Sequence, residues 1–240
     1  MIDHVTIRLP NLNEGRRFYE RVFEWIDYPG HLADRGGFLE WTDFSITAET
    51  LGRPATRGLH IGFYAESPAV VDAWWQALTS DGYRSAGAPG PRPDYGPDYY
   101  GGFVLDPAGN SVEAVNNGPR RQPGVIDHLW LRSHDLDAAS RFYETVCPTV
   151  GHTVERYQGR TQIRGSGATF SLVEGPSTEN LHLAFRADGR EAVDAFHHAG
   201  IEAGYASDGA PGERLEYHPG SYAAFLHDPD AHTIEAVCHA

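Results

Sequence analysis

Three residue types that can bind a metal together return at matched spacing in this chain. His4, His60 and Glu113 recur as His128, His182 and Glu235. The separations are 60 − 4 = 56 and 113 − 60 = 53 residues in the first copy, and 182 − 128 = 54 and 235 − 182 = 53 in the second. Two imidazoles and one carboxylate occupy one side of a divalent ion and leave positions open for water or substrate. That donor set suits non-haem Fe(II) first, and also Mn, Zn, Ni or Co. A lone histidine in a strand is more often a packed or solvated residue than a ligand, and the chain has 13 of them. The weight therefore rests on the joint return of all three types while many other positions have drifted.

The elements that must position these residues are duplicated with them. Ile2-Asp3-His4-Val5-Thr6-Ile7-Arg8-Leu9 is answered by Ile126-Asp127-His128-Leu129-Trp130-Leu131-Arg132-Ser133, and each is followed by an Arg-Phe-Tyr-Glu run. Leu59-His60-Ile61 returns as Leu181-His182-Leu183, and Ser111-Val112-Glu113-Ala114-Val115 as Thr233-Ile234-Glu235-Ala236-Val237. All of these alternate as strands do, with each donor opposite the apolar face, in company with Thr6, Arg8, Trp130 and Arg132. That is where a cavity lining belongs. Helices are expected after Asn11, after Ser67-Pro68, from Asp135 and after Asp188, each opening on a capping signal. Short strands are expected at 37–41 and 44–48, a Pro/Gly/Tyr-rich loop at 86–100, and a turn at Asp106-Pro107-Ala108-Gly109-Asn110, matched by Asp228-Pro229-Asp230-Ala231-His232. The result is an α+β chain of four βαβββ units in two domains, 1–117 and 125–240, joined by a Pro/Gly-flanked linker at 118–124.

Composition narrows the chemistry. The 240 residues, 40% of them hydrophobic, can bury two modest cores. The net charge of −14 argues against a nucleic-acid partner. All 19 basic residues are Arg. With no Lys, Schiff-base chemistry and a lysine-held pyridoxal cofactor are excluded. No apolar run approaches about 18 residues, so no membrane span is expected, and the N-terminus opens on a strand pattern, from which a cytoplasmic location is expected. Cys147 and Cys238 stand at non-equivalent positions and read as inert thiols. A small-molecule substrate is the expected partner, and a homodimer is left open.

These motifs resemble the vicinal oxygen chelate superfamily, which includes glyoxalase I, extradiol dioxygenases, fosfomycin-resistance enzymes and bleomycin-binding proteins. The carriers are Asp3-His4-Val5 with Arg17-Phe18-Tyr19, Leu59-His60-Ile61, and the run from Asp106 to Glu113, each with its second copy. The resemblance implies tandem βαβββ units forming cupped sheets around a metal that a substrate chelates through two adjacent oxygens. It also implies that His4, His60, Glu113, His128, His182 and Glu235 are the metal ligands. Pairing stays open, because in some relatives the first unit of one domain completes a cup with the second unit of another.

Departures from the family pattern bear on the reaction. Glyoxalase I carries a fourth ligand, a Glu, where this chain has Thr47 and Val173, with Glu49 and Glu174 close by. Extradiol enzymes carry a His and then a Tyr before the Asp-Pro turn. His218 sits near the first of these, Phe225 and Phe103 occupy the second, and Gly96 stands where a first-copy equivalent of His218 would be. On this reading His218, Tyr222 and Tyr100 are the acid-base candidates, with Tyr95, Tyr99, Arg92 and Tyr217 as further contacts. The expected activity is an Fe(II)- or Mn(II)-dependent dioxygenase acting on a small oxygen-chelating substrate. The alternatives are a glyoxalase-like lyase or isomerase, a thiol transferase, and a non-catalytic binder of the bleomycin-resistance type that sequesters an antibiotic.

Overall fold

The computed structural model describes residues 1–26, 32–120, 123–214 and 220–239. Four βαβββ units follow one another as the alternation implies. The first is β1 (Ile2–Leu9), α1 (Leu12–Trp25), β2 (Ala33–Asp34), β3 (Phe38–Trp41) and β4 (Phe44–Ala48). The second is β5 (His60–Tyr64), α2 (Pro68–Ser80), β6 (Ser85–Pro91), β7 (Tyr100–Leu105) and β8 (Ser111–Asn116). The third is β9 (Ile126–Ser133), α3 (Leu136–Val146), β10 (Thr153–Tyr157), β11 (Arg160–Arg164) and β12 (Thr169–Glu174). The fourth is β13 (His182–Arg186), α4 (Arg190–Glu202), β14 (Ser207–Glu213), β15 (Ser221–His227) and β16 (Thr233–His239). Among the described residues no helix is long and apolar enough to cross a membrane. The fold is α+β, four βαβββ units in tandem.

The chain packs into two compact units that do not follow the repeat boundary. One is Ile7–Trp130, and the other is Leu131–Ala240 together with Met1–Thr6. The cause lies in strand pairing. In the first unit β9 runs antiparallel to β5, which is parallel to β8, with β7 and β6 completing the row. In the second unit β1 runs antiparallel to β13, parallel in turn to β16, followed by β15 and β14. The opening strand of each repeat therefore lies against the closing half of the other.

Local signals act where the sequence places them. The Asn11 side chain accepts from the amides of Asn13 and Glu14, Ser67 accepts from Val70, and Asp135 accepts from Ala138. The fourth helix differs from expectation: Gly189 is its N-cap and no side chain caps it. Part of the Pro/Gly-rich stretch expected as loop is the strand β6. It lies at the end of its row, where Pro89 and Pro91 cost no ladder bonds, and its pairing with β7 shifts register twice. Helix faces carrying Phe18, Tyr19, Val71 and Trp74 in one unit, and Phe142, Tyr143, Val193 and Phe196 in the other, are wholly buried. Each such side chain contributes on the order of 1.5–3 kcal/mol of apolar burial.

Buried polar clamps set the strands that carry the two glutamates. The Tyr19 hydroxyl donates to Asp106 Oδ2 at 3.0 Å, and Asp106 Oδ1 accepts from the amides of Ala108 and Asn110 at 2.8 Å. Asn110 Nδ2 donates to Asp106 and to the Thr56 carbonyl, both at 3.0 Å. In the second copy Tyr143 donates to Asp228 at 3.0 Å, and the His232 imidazole takes the asparagine's place against that carboxylate at 2.9 Å. The turn there puts Ala231 at φ 63, where Gly109 has φ 88, so the second copy accepts backbone strain that the first avoids.

Asp43 holds the start of β9, accepting from the amides of Val125 at 2.8 Å and Ile126 at 3.4 Å. Burial raises its carboxyl to about 6 despite those donors. A folded pKa above the unfolded one means that native Asp43 holds its proton more tightly. Its contribution is therefore complete below about pH 4 and is lost as pH rises through about 6. Relative to wild type, Asp43→Asn is expected to lack a fall in stability of roughly 2–3 kcal/mol between those pH values, read from urea unfolding at stepped pH. Tyr19→Phe is expected to cost about 1–2 kcal/mol at any pH, because Asp106 keeps its other donors. The same urea series measures it, and a loss near zero would show that the clamp is not structural.

Candidate metal centres

Register gathers three donors around a single backbone position in each unit. On β5, Gly62 lies opposite His128 of β9 and beside Glu113 of β8, and His60 projects from the same face two residues earlier. His60 Nε2 stands 3.1 Å from Glu113 Oε2 and 3.2 Å from His128 Nε2, and His128 Nε2 stands 3.3 Å from the same carboxylate oxygen. In the other unit Ala184 holds the central position, opposite His4 and beside Glu235. There the separations are 3.1 Å for His4 to His182, 2.9 Å for His182 to Glu235 and 3.5 Å for His4 to Glu235. The six residues thus form two triads, His60/Glu113/His128 and His4/His182/Glu235. Each draws its first histidine strand from the other repeat, the alternative that the sequence left open.

A strand bulge supplies what alternation forbids. The pairing of β1 with β13 skips a residue between Ile2 and His4, and that of β5 with β9 skips one between Ile126 and His128. The extra residues are Asp3 and Asp127. A bulge lets neighbouring side chains share a face, and each aspartate reaches Nδ1 of the next histidine at 2.9 Å. Nδ1–H donates to the carboxylate, which leaves the Nε2 lone pair aimed at the triad. His60 Nδ1 stands 3.0 Å from Ser111 Oγ. In the other unit Asp3 also accepts from His239 Nε2 at 3.0 Å.

The donor set fits a divalent ion. Ligands about 2.0–2.2 Å from one metal, at right or tetrahedral angles to one another, stand about 3–3.5 Å apart, which is the spacing found in both triads. The charge balance agrees. Burial pushes the Glu113 carboxyl up, but hydrogen bonds and charge from His128 and His60 outweigh it and leave it below its ordinary value. Burial pushes Glu235 up as well, and the His182 bond with the charges of His4 and His182 brings it down. Burial lowers His128, yet Asp127 and Glu113 overcome this and raise it to about 9. The surroundings of His128 favour a positive charge. No second carboxylate joins either triad as a fourth donor among the described residues, and Glu49 is turned to the Ala55 amide at 3.1 Å. A third carboxylate–histidine group, Asp228, Asp230 and His232, belongs to the turn clamp.

The acid-base candidates fare less well. Tyr100 and Tyr222 point to the helix side of their strands, where each hydroxyl donates at 2.8 Å, to Asp72 of α2 and Asp194 of α4. Neither is brought to a triad, which corrects the expectation. The reason is phase: Phe103 pairs with Glu113 and Phe225 with Glu235, so a residue three positions earlier on the same strand faces away. His218 and Tyr217 lie outside the described residues. Tyr99, ranked only as a further contact, donates its hydroxyl to Glu113 Oε1 at 2.9 Å. Burial and the adjacent carboxylate hold that phenol far above its usual pKa, so it stays a donor.

The two centres are not equivalent. A Cβ at Gly62 would fall on the His128 ring, and one at Gly101 on the Glu113 carboxylate. The second copy has Ala184 and Ala223 at those positions, packed with Val237 and Phe225, and Ser221 in place of Tyr99. The His4 side chain is 29% exposed and that of His128 only 9%. Aromatic rings line the tighter centre. Tyr95 lies 5.2 Å from Tyr99 and 5.7 Å from Trp130, and Phe103 lies 5.9 Å from His60.

Comparison with known proteins agrees with this architecture. Residues 1–114 match the model of the Glyoxalase/Bleomycin resistance protein/Dioxygenase superfamily. Among solved structures, glyoxalase I from Zea mays is similar over 99% of this chain and 92% of its own, with a TM-score of 0.68 at 18% identity. A mutant of that enzyme gives a TM-score of 0.70 at 19% identity over the same shares. A "putative dioxygenase" from Bacillus subtilis is similar over 99% of this chain and 84% of its own, with a TM-score of 0.68 at 14% identity. A search of curated proteins gives no match. The family model is matched over residues 1–114, and the full-length structural likeness shows the same fold across both copies of the duplication.

Gly62→Ala is expected to push the His128 ring aside and to weaken divalent-metal binding at that centre by about tenfold or more, while His4/His182/Glu235 keeps its affinity. Calorimetric titration with Zn(II) reads both sites, and two unchanged affinities would refute the packing argument.

Proposed function

We propose that this chain is a metal-dependent enzyme of the vicinal oxygen chelate type, and specifically an Fe(II)- or Mn(II)-dependent dioxygenase acting on a small oxygen-chelating substrate. The observation that carries the reading is the pair of convergent two-histidine, one-carboxylate triads, with no second carboxylate joining either among the described residues. His60, Glu113 and His128 would hold one ion, and His4, His182 and Glu235 the other. A bound divalent ion supplies a Lewis acid that polarises a chelated oxygen, with open positions for substrate and dioxygen.

The remaining groups prepare the site. Asp127 and Asp3 fix the tautomer and direction of the histidines beside them. Tyr99 holds the second oxygen of Glu113 and so fixes the carboxylate plane. Tyr95, Tyr99, Trp130 and Phe103 offer flat surfaces to a ligand on one side of the tighter centre. These features favour the His60/Glu113/His128 centre as the catalytic one, with the other copy more open. A sequestering protein has no use for two fully oriented ligand sets, which ranks that alternative lower.

Metal content per chain of anaerobically purified protein tests this reading. Wild type is expected to hold two ions, and Glu113→Ala and Glu235→Ala one each. Dioxygen uptake with a panel of catechols and α-hydroxy ketones is expected to vanish in Glu113→Ala. No bound metal after reconstitution would end the enzyme reading. Turnover under strict anaerobiosis would replace the dioxygenase with a lyase or isomerase.

A further inference from the structure

A second duplicated motif lies in the same cups and has no part in holding the triads. Gly87-Ala88-Pro89-Gly90-Pro91-Arg92 recurs as Gly209-Ala210-Pro211-Gly212-Glu213-Arg214. Both copies build the same cradle for a guanidinium group. Arg92 donates to the carbonyls of Ala88 at 2.7 Å and Pro91 at 3.1 Å and lies over the Phe103 ring, 5.3 Å from its centroid. Arg214 donates to Ala210 at 2.7 Å and Glu213 at 3.1 Å and lies 5.4 Å from the centroid of Phe225. Glycines make the room: a Cβ at Gly87 or Gly209 would press on the phenylalanine ring, and one at Gly90 or Gly212 on the guanidinium.

The cradle faces the metal-binding side. The Arg92 amide donates to the Tyr99 carbonyl, which places Arg92 across from Tyr99, and Phe103 pairs with Glu113. The Phe103 ring thus neighbours both the guanidinium and His60, whose ring is 5.9 Å away. Phe225 likewise neighbours Arg214 and His182, the latter at 6.3 Å. Each arginine is half-buried, and among the described residues neither pairs with a carboxylate. The two carbonyl bonds use two of the five N–H donors. In a chain of net charge −14, a cation fixed twice by backbone and ring, with donors to spare, is a prepared anion site.

We propose that Arg92 and Arg214 bind a carboxylate on the ligand whose oxygens reach the triad, so that the substrate class is a flat, oxygen-chelating carboxylic acid lying along Phe103 or Phe225. This rests on the triads being metal centres, and it adds what the triads alone do not specify. A planar guanidinium fork matches a carboxylate in two parallel hydrogen bonds, and burial of its neighbours strengthens them.

Binding of 3,4-dihydroxybenzoate and its neutral analogue 3,4-dihydroxybenzamide to Zn(II)-loaded protein, compared by calorimetry, tests the proposal without turnover. Wild type is expected to prefer the acid by about tenfold or more. In the Arg92→Gln/Arg214→Gln double variant the preference disappears while the benzamide keeps its affinity. In Arg92→Lys/Arg214→Lys, which retains the charge without the fork, the preference falls part of the way. Equal affinities in wild type, or a double variant that loses both probes together, would overturn the proposal and leave the arginines as hairpin braces. Benzoate, titrated by NMR into metal-free protein, gives a reading that does not depend on the metal centres. Shifts at Phe103 and Phe225 that need the arginines support the anion site even if no metal binds, and shifts unchanged in the Gln variants overturn it.

Discussion

Lone pairs forced together are the constraint on which the rest of this structure depends. With Nδ1 of His4 and of His128 committed to a carboxylate, each aims an Nε2 lone pair at a second imidazole 3.1–3.2 Å away, beside a buried glutamate oxygen. Such an arrangement is repulsive unless a positive charge lies among the donors. Asp127 and Glu113 favour one there, raising His128 to about 9 against the pull of burial. The fold holds this tension with ordinary packing. Helices seal the opposite face of each sheet, and the Tyr19–Asp106–Asn110 clamp with its Tyr143–Asp228–His232 counterpart fixes the turns from which the two glutamate strands start.

Duplication gave two such centres, and small substitutions have separated them. Where one has bare backbone at Gly62 and Gly101, the other has the methyl groups of Ala184 and Ala223. A single carbon at each position decides how far the adjoining imidazole and carboxylate sink toward the sheet. The tighter centre adds the Tyr99 bond to Glu113, while the more open one ties Asp3 to His239. The guanidinium cradle, by contrast, is unchanged to within a tenth of an ångström in its ring distance. What the copies share is the ligand frame and the cation beyond it. What they no longer share is the lining.

The fold and the six residues that meet in the two triads were legible in the sequence because both depend on local alternation, a period-2 pattern that survives repeat drift. The grouping of the donors was not, because it depends on which distant strand β1 and β9 pair with, and nothing local distinguishes β5 from β13 as a partner. Asp3 and Asp127 were hidden for a different reason: adjacent strand residues face opposite sides, and only the bulge brings each aspartate beside its histidine. A repeated Asp-His dipeptide was the available signal. The choice of Tyr100 over Tyr99 was an error of one residue in phase, made at the point where the Pro/Gly content of the preceding segment concealed the strand β6. The role of His218 stays an expectation, outside the described residues.

The exchange of opening strands has an energetic consequence of its own. His4 and Glu235 come from opposite ends of the chain and meet only when β1 is seated on β13. Closing so long a loop costs chain entropy, although that cost grows only slowly with length. Any cation that binds His4, His182 and Glu235 together binds the folded chain and not the unfolded one, so its binding free energy adds to the stability of the strand exchange itself. The same holds for His128 on β9 against His60 and Glu113. In each unit the histidine that completes the ligand set is also the residue that reports whether the exchanged strand is in register, since a slip of one position would turn it to the helix side. Register, ligand geometry and the seating of the exchanged strand are therefore one condition, met or lost together.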